Sequence, residues 1–394
     1  MNSQQTELRN LFPTQQVGHI TEINAPLHIS ADLDDADALF DADPELDSVP
    51  VESQDGVVGM LERHRLLNRD RKGLGPFFRN TIEHLVTEPP VTLDAEQHIE
   101  YALQMIFNRP DQTEIRNVLV YHRRHLLGTV NTRRLVQHIL EFRQNELDKA
   151  KDVQQRLLGD TVIDHPRFSA RALLEMAHEL GGDFLQMIRL PGDRHLLACF
   201  DVSGKNLSAA LCTGLISGFF TTLRTTGMTN EMGVPDILRS LNELLVATMS
   251  TGMFVTAVFI FVDAEARRLE VFNAGYNNLF ELTDTEDRRH VVRIHKPTLP
   301  PLGLDPEWDP SKGRKVIAVH GTARYFCYSD GLTDTRDETG RAYGEDRAIA
   351  FIKEHFYVSS GDFLEALRDD VRSFMGRAHP TDDMTALFLE FLPD

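Results

Sequence analysis

An internal repeat is the feature that most constrains the fold of this chain. The stretch VPVESQDGVVGMLERHRLL, which starts at Val49, is matched 69 positions later by VLVYHRRHLLGTVNTRRLV, which starts at Val118. Upstream, PLHISADLDDADAL from Pro26 matches PVTLDAEQHIEYAL from Pro90. Each copy has the pattern of a short extended segment, an amphipathic helix, two short strands around a tight turn, and another helix. Because one such unit cannot bury its own apolar faces, the repeat predicts two copies that pack together.

Length and charge restrict the class of protein further. A chain of 394 residues predicts two or three domains. A formal charge of −19 argues against binding to nucleic acids or to anionic membranes, since both depend on Lys and Arg. We expect no membrane span, because no apolar run approaches roughly 20 residues, and the N-terminus lacks the pattern of a signal peptide. The widely spaced Cys199, Cys212 and Cys327 predict reduced core residues and a cytoplasmic location.

A long helix is predicted between the repeat and the rest of the chain. Residues 133–158 contain no proline, and their apolar residues recur at spacings of three and four, with an interruption at Glu146. This pattern is typical of a helix with a narrow seam, as in a two-stranded coiled coil that would make the protein a homodimer. The alternative, a helix packed on its own domain, is also open.

The remainder, residues 159–394, has the pattern of an α+β domain built on antiparallel sheets. Strands are predicted at 194–201, 253–263, 267–275, 323–331 and 384–392. Helices are predicted at 206–224, 233–249, 345–355 and 360–375.

Acidic residues lie at the ends of several predicted strands. Asp183 is found in GGDF, Asp201 ends its strand in DVSG, and Asp330 ends its strand in SDG. Asp382 and Asp383 precede a strand in DDMT. Each site is next to a glycine, a turn or an abrupt change of polarity, where a carboxylate can leave a core strand and reach a cleft. One Asp-Gly pair after a strand is ordinarily a plain turn, so the prediction depends on four sites that share this context.

Converging carboxylates would repel one another and raise one another's pKa values. A hard divalent cation removes that repulsion, and carboxylate, carbonyl and water oxygens suit Mg²⁺ or Mn²⁺. Zinc sites typically contain clustered His and Cys residues, and the sequence shows no such cluster at these positions. Two such ions that share a carboxylate can activate a water for attack on phosphorus.

The motifs after residue 158 resemble the PPM-type metal-dependent Ser/Thr protein phosphatases, in their SpoIIE/RsbU branch. They are, in family order, GGDF, DVSGKNLSAAL, GMFVTAVF, FNAGYNN, PPLGL, YSDGLTDTRDETGRAYGEDR and DDMTAL. The resemblance implies an α-β-β-α sandwich for residues 159–394 and a site for two Mn²⁺ or Mg²⁺ ions. It also implies that a metal-bridged water is the nucleophile, without a covalent enzyme intermediate.

The resemblance also assigns roles to the residues. Asp201 would bridge the two ions, with the Val202 carbonyl as a further ligand. Asp183 would serve the second ion, and Asp330 and Asp382 would hold the first.

Some assignments stay open within the resemblance. Asp383 would support the metal ligands without contacting an ion. It would be a ligand itself if the register of the Asp382-Asp383 pair is shifted by one. The family often has an aspartate where this chain has Gln186, a glycine where it has Asn206, and a histidine where it has Tyr276. Lys205 is a candidate for steering phosphate, and a solvated loop lysine is the alternative.

The repeat, over residues 18–143, resembles a tandem pair of CBS domains. Many members of that family carry a Thr or Ser, and three positions later an Asp that holds a nucleotide ribose. Those positions hold Glu62 and Arg65 in the first copy, and Asn131 and Arg134 in the second. A nucleotide or other anionic ligand at the two arginines and a pure dimerisation module are both open, since Arg forks suit phosphate.

The expected organisation is a flexible tail at 1–17, a regulatory CBS pair at 18–143, the linker and dimerisation helix at 133–158, and a phosphatase domain at 159–394. The resemblance implies a phosphoserine/phosphothreonine protein phosphatase. Its implied substrate is a phosphorylated STAS-type anti-sigma-factor antagonist of a bacterial partner-switching pathway. The alternatives are a catalytically weak scaffold or binding protein with a phosphatase fold, and a small-molecule phosphatase.

Overall fold

The computed structural model describes residues 10–68, 81–88, 91–108, 115–204, 207–226, 232–284 and 290–393. The chain divides into two compact units, Met1–Glu146 and Leu147–Asp394, and each is described by itself. The division falls within the predicted linker helix. The domain limits inferred from the sequence, 18–143 and 159–394, stay predictions.

The first unit contains two similar sets of elements. The first set consists of β1 (Leu27–His28), α1 (Leu33–Ala42), β2 (Ser48–Ser53), β3 (Gly56–Glu62) and α2 (Arg63–Leu67). The second set consists of β4 (Thr92–Asp94), α3 (Ile99–Phe107), β5 (Asn117–His122), β6 (His125–Asn131) and α4 (Thr132–Leu157). The α/β order predicted from the repeat is confirmed in both copies.

The two copies agree down to a local irregularity of the strands. Each forms a three-stranded sheet, in the orders β1-β2-β3 and β4-β5-β6, with one parallel pair and one hairpin. The hairpin strands have the same lengths and lie 69 positions apart. Both carry a register shift at the equivalent place, between Val51 and Glu52 and between Val120 and Tyr121.

Each copy contributes an extended segment to the sheet of the other. Thr87, which precedes the second copy, bridges to Met60 in β3, and Glu22, which precedes the first, bridges to Thr129 in β6. A Cβ on Gly128 would overlap the carbonyl oxygen of Glu22, so this approach requires glycine. The predicted packing of the two copies therefore has a backbone contribution as well as an apolar one.

The second unit contains two antiparallel sheets. Its strands are β7 (Val162–His165), β8 (Phe168–Glu175), β9 (Asp183–Leu190), β10 (Arg194–Val202), β11 (Val255–Asp263), β12 (Arg268–Ala274), β13 (Leu279–Asp284), β14 (His290–His295), β15 (Lys315–Ala318), β16 (Ala323–Tyr328) and β17 (Met384–Phe391). The five-stranded sheet has the order β15-β12-β11-β10-β9, and the six-stranded sheet has the order β14-β13-β16-β17-β8-β7. The helices are α5 (Leu207–Thr226), α6 (Val234–Thr248), α7 (Asp330–Asp334), α8 (Gly344–Glu354) and α9 (Ser360–Met375).

Three apolar layers hold this unit together. One lies between the sheets, one between the five-stranded sheet and the pair α5 and α6, and one between the six-stranded sheet and the pair α8 and α9. This is the predicted α-β-β-α sandwich. The three cysteines are free and buried, as the sequence predicts. The sequence analysis did not identify β7, β8, β9, β13, β14 or β15.

Among the described residues, one helix is long and apolar enough to cross a membrane by length and composition, namely α5. The expectation that no apolar run approaches this length is therefore wrong for this helix. A core helix has the same composition, and α5 packs its buried face, including Ala209, Ile216 and Phe220, on the five-stranded sheet.

Gly128→Ala should destabilise the first unit by about 1–3 kcal/mol, because the added methyl group cannot coexist with the Glu22 carbonyl without a backbone shift. Thermal unfolding of the full-length chain measures this. Gly361→Ala is the control, since a Cβ there has no atom within 4 Å, and it should leave the unfolding temperature nearly unchanged. Equal effects of the two substitutions would contradict the close approach.

Candidate metal centre

The pairing of β9 with β10 places the first two acidic residues side by side. In this antiparallel pair Asp183 lies directly opposite Asp201. Gly182 precedes β9 and lies against the end of β10, where its carbonyl accepts a hydrogen bond from the Val202 N–H at 3.3 Å. A Cβ on Gly182 would lie 2.9 Å from the Val202 carbonyl oxygen, so a larger residue would displace this carbonyl group, for which the family resemblance implies a ligand role.

Asp183 is almost completely buried, with 2% of its surface exposed. The Thr385 hydroxyl of β17 donates to Asp183 Oδ2 at 2.7 Å. Burial and the neighbouring Asp201 raise the pKa of Asp183 well above its usual value, while the hydrogen bonds from Thr385 and Ser329 act in the opposite direction. Thr385 is therefore a neighbour of the site that the sequence analysis did not single out.

Asp201 is half-buried at the end of β10. Burial, together with the negative charges of Asp330, Asp382 and Asp383, raises its pKa to about 7. Asp201 therefore lies close to acidic residues of the other sheet as well as opposite Asp183.

Asp330 reaches the site from the other sheet. The strand β16 ends at Tyr328, and Asp330 is the first residue of the short helix α7 rather than the last residue of a strand. The residue as a whole is exposed, but its carboxylate is partly shielded. That shielding from water, together with the negative charges of Asp382 and Asp334, raises the pKa of Asp330.

Asp382 and Asp383 have different environments. Asp383 is 7% exposed, and its Oδ1 accepts the Ala177 N–H at 2.8 Å, while its Oδ2 accepts the Gly182 N–H at 2.7 Å. Asp382 is exposed on the side of Asp330 and Asp201, whose pKa values it raises. Because the Asp383 carboxylate is occupied by backbone donors, the geometry favours Asp382 as the residue that faces a cation.

The donor set has the chemistry of a site for a hard cation. Within the described part of the chain, Asp183, Asp201 and Asp330 form no ion pair with Lys, Arg or His, so their mutual repulsion lacks a positive partner there. Carboxylate oxygens and the Val202 carbonyl are the ligand types that Mg²⁺ and Mn²⁺ prefer. In this conformation, the described residues contain no group of three or more His, Cys, Asp or Glu side chains placed closely enough to hold one metal ion. The residues therefore fit such ions in type, whereas their distances in this conformation exceed those of a closed coordination shell.

A glutamine of the long helix also contacts this region, and the sequence analysis missed it. Gln154, in α4, is 3% exposed, and its Nε2 donates to the Gly181 carbonyl at 2.7 Å and to the Thr213 hydroxyl of α5 at 3.0 Å. Its Oε1 accepts the Gly181 N–H at 3.2 Å. Nothing in the sequence distinguishes Gln154 from the exposed Gln155 beside it.

Gln186 faces away from the acidic residues. Its Nε2 donates to the Leu157 carbonyl at the end of α4, at 3.4 Å, and the Ser217 hydroxyl of α5 donates to the same carbonyl at 3.0 Å. Lys205 and Asn206 lie outside the described residues, so the phosphate-steering role of Lys205 stays a prediction.

The two arginines of the repeat do not meet in one cleft. Arg134 lines a cleft of about 930 Å³ in the first unit, and it forms an ion pair with Glu22. Arg65 is not part of that lining, and its Nε lies 3.8 Å from Glu62 Oε2. Both arginines are engaged by acidic residues, so ligand binding at them stays a prediction.

Comparisons with known families match both parts of the chain. Residues 191–392, half of the chain, match the family model of Stage II sporulation protein E (SpoIIE). Residues 82–141, which include most of the second copy of the repeat, match the CBS domain. The first copy shares the strand lengths and the register shift of the second.

Relatives with known names are distant. The chain is 23% identical to "Phosphoserine phosphatase RsbU" of Bacillus subtilis over 228 residues, which are 58% of this chain and 65% of that protein. It is 22% identical to "Protein IcfG" of Synechocystis over 265 residues, which are 61% of this chain and 41% of that protein. The chain thus spans less than two thirds of the length of these relatives. Among solved structures, the SiaA-PP2C domain of Pseudomonas aeruginosa matches with a TM-score of 0.52 and 19% identity, over 65% of this chain and 99% of that domain. This likeness shows a shared fold.

The raised pKa of Asp201 predicts a pH-dependent stability of the metal-free chain. Between the usual Asp value of about 4 and the folded value of about 7, the folded chain holds a proton that the unfolded chain has lost. Asp201 therefore stabilises the fold less and less as the pH rises through this window, by a few kcal/mol in total at about 1.4 kcal/mol per pKa unit.

Asp201→Asn mimics the neutral carboxyl group and should lose this dependence. In the presence of a chelator, its unfolding temperature should be close to that of the wild type near pH 4 and should exceed it increasingly up to about pH 7. Above about pH 7.5 the difference between the two unfolding temperatures should stay constant. Asp346→Asn, which removes an exposed carboxylate of α8, is the control and should show no such trend. A difference between Asp201→Asn and wild type that does not change with pH would refute the assigned environment.

Proposed function

The chain belongs to the SpoIIE family, and on that premise we propose that it is a metal-dependent phosphoserine/phosphothreonine protein phosphatase. The proposal depends on one observation above all. Acidic residues from both sheets of the sandwich, Asp183, Asp201, Asp330 and Asp382, lie at the same end of the fold, and their proximity contributes to the raised pKa values of Asp183, Asp201 and Asp330. Among the described residues, Asp183, Asp201 and Asp330 form no ion pair, and carboxylates gathered in this way are unfavourable unless bound cations neutralise them.

The proposed ligands are the four carboxylates and the Val202 carbonyl, with Asp201 shared between two Mn²⁺ or Mg²⁺ ions. When bound, such ions supply positive charge for the phosphoryl group and lower the pKa of a water. The chain's own contribution is to fix the positions of the ligands. The Thr385 hydroxyl orients the Asp183 carboxylate, and the Asp383 carboxylate accepts the N–H of Gly182, the residue before Asp183. Because these carboxylates are proposed to be held as metal ligands, we propose that water, rather than an enzyme side chain, receives the phosphoryl group.

The proposed substrate is a small phosphorylated protein, a STAS-type anti-sigma-factor antagonist of a partner-switching pathway, in the cytoplasm. Support comes from the names of two relatives, "Phosphoserine phosphatase RsbU" and "Phosphoserine phosphatase RsbP". The acidic charge of the chain agrees with a protein substrate rather than with nucleic acid.

We further propose that the CBS pair regulates this activity through α4, which is also the proposed homodimer seam. The helix ends within the second unit, where Gln154 binds Gly181, two residues before Asp183. An input that favours one position of this helix over another would therefore change the position of the Asp183 backbone.

A scaffold with an inactive phosphatase fold is the second candidate. It would require the loss of a ligand, whereas Asp183, Asp201, Asp330 and Asp382 are all present. A small-molecule phosphatase is the third candidate, and it would hydrolyse a phosphorylated metabolite as well as a phosphoprotein.

Hydrolysis of p-nitrophenyl phosphate by the full-length chain tests the proposed metal centre. Activity should require Mn²⁺ or Mg²⁺ and disappear with a chelator. Asp330→Asn should lower the rate at least ~100-fold, since loss of a metal ligand removes several kcal/mol of charge stabilisation.

Asp346→Asn is the matched control and should keep the wild-type rate, because Asp346 is exposed outside the acidic group. Metal-independent hydrolysis, or an unchanged rate in Asp330→Asn, would refute the proposed site. A wild-type chain that binds Mn²⁺ without hydrolysing any phosphate ester would favour the scaffold.

Gln154→Ala should destabilise the second unit by about 1–3 kcal/mol, because it leaves the buried Gly181 groups and the Thr213 hydroxyl without this partner. It should also alter the rate of p-nitrophenyl phosphate hydrolysis and the concentration of Mn²⁺ needed for half activity. Asp152→Ala, an exposed change two positions earlier, is the control. A Gln154 variant with wild-type metal dependence would show that α4 does not reach the site.

A further inference from the structure

A surface groove of the second unit leads away from Asp382. The part nearest to Asp382 has a volume of about 320 Å³ and is formed by the end of β8, by α9 and by the turn before β17. A second part of about 450 Å³ lies between β8 and the last turns of α4. Met176 lines both parts, so they are neighbours, and together they are called here the β8 groove.

One side of β8 is an open strand edge along this groove. The strand β17 pairs with the whole of β8, whereas β7 pairs only with Phe168–Arg171. The Ala172 N–H donates to the Thr161 carbonyl at 2.8 Å, and beyond it no described strand borders β8 on that side. An open edge of this kind can pair with an extended segment of another chain. The edge runs to Glu175, which lies opposite Met384, two residues after Asp382.

Positive charge is concentrated along the groove. Arg368 Nε and Arg372 Nη2 lie 3.2 Å and 2.9 Å from the same carboxylate oxygen of Glu175. One carboxylate cannot neutralise two guanidinium groups, and the buried Nε of Arg368 forms no hydrogen bond. Lys151 lines the second part, and it forms no ion pair within the described part of the chain. In a chain with a net charge of −19, this local excess of cations favours an acidic partner.

The wall nearest to Asp382 is also apolar and adaptable. Met176 and Met375 line it together with Val371 and Pro380. Methionine side chains adjust to irregular surfaces, so this wall can accept side chains of different shape. The groove thus combines backbone groups, positive charge and an apolar wall, which together suit a peptide segment better than a small molecule.

We propose that the β8 groove binds the residues that flank the phosphoserine or phosphothreonine of the protein substrate, extended along β8, with acidic side chains near Arg372 and Lys151. This inference rests on the proposed phosphatase function and specifies its substrate class. The phosphorylated residue would lie over the acidic group at Asp382, and the neighbouring residues would occupy the groove. A small phosphate ester would reach the same carboxylates without filling it.

Two synthetic phosphoserine peptides test this proposal with the full-length protein and Mn²⁺. They are identical except that the residues flanking the phosphoserine are Glu in one and Lys in the other. The wild type should hydrolyse the Glu peptide with a kcat/KM about tenfold above that of the Lys peptide. Arg372→Glu should abolish or reverse this preference, and Lys151→Glu, at the far end of the groove, should reduce it. Hydrolysis of p-nitrophenyl phosphate by each variant provides the reference rate.

Arg189→Glu is the matched control, because it changes the net charge by two units, as Arg372→Glu does, at a surface position outside the groove. Arg189 is exposed in β9 and forms an ion pair with Asp193 at the turn after that strand. It should keep the wild-type preference for the Glu peptide. The unfolding temperature of each variant verifies that it is folded, and the exposed side chain of Arg372 predicts that it will be.

The outcomes separate this inference from the proposed function. If the wild type hydrolyses p-nitrophenyl phosphate and both peptides without a preference between them, the groove does not select the substrate while the phosphatase assignment stands. If it hydrolyses p-nitrophenyl phosphate but neither peptide, the inference fails and the small-molecule phosphatase is favoured. An equal preference in Arg372→Glu and wild type would also overturn the inference. If neither the peptides nor p-nitrophenyl phosphate are hydrolysed with Mn²⁺, the proposed function fails and the inference fails with it.

Discussion

The buried carboxylate of Asp383 ties the two sheets of the second unit together at the end where the acidic residues meet. Asp383 precedes β17 of the six-stranded sheet, and it accepts hydrogen bonds from Ala177, after β8, and from Gly182, before β9 of the five-stranded sheet. Backbone groups at the ends of both sheets thus share one acceptor. The positions of Asp183, which follows Gly182, and of Asp382, which precedes Asp383, both depend on this contact.

The acidic group is an unfavourable arrangement that the rest of the unit maintains. Burial and mutual repulsion raise the pKa values of Asp183, Asp201 and Asp330. Extended pairing in both sheets and three apolar layers supply the stability that opposes this cost. Such a conflict between local electrostatics and overall packing is typical of functional sites, and cations would relieve it.

Contacts around the site connect it to surrounding elements. Gln154 contacts the backbone just before Asp183 from the end of α4, and the β8 groove, which the last turns of α4 also line, begins at Asp382. The proposed regulation and the proposed substrate selection therefore concern the surroundings of one acidic group. Both depend on backbone positions near the ends of β8 and β9, which Asp383 joins.

The sequence alone determined the repeat, the long helix and the identity of the acidic residues, because periodic burial and the chemistry of strand ends are local properties. It missed strands such as β8 and β13, since polar residues alternate irregularly along them. It left the roles of Asp382 and Asp383 open, and it could not distinguish Gln154 from Gln155. Only the tertiary structure distinguishes the residues of each pair, because their contacts depend on which backbone groups from distant parts of the chain, such as Ala177 and Gly181, come within hydrogen-bond distance.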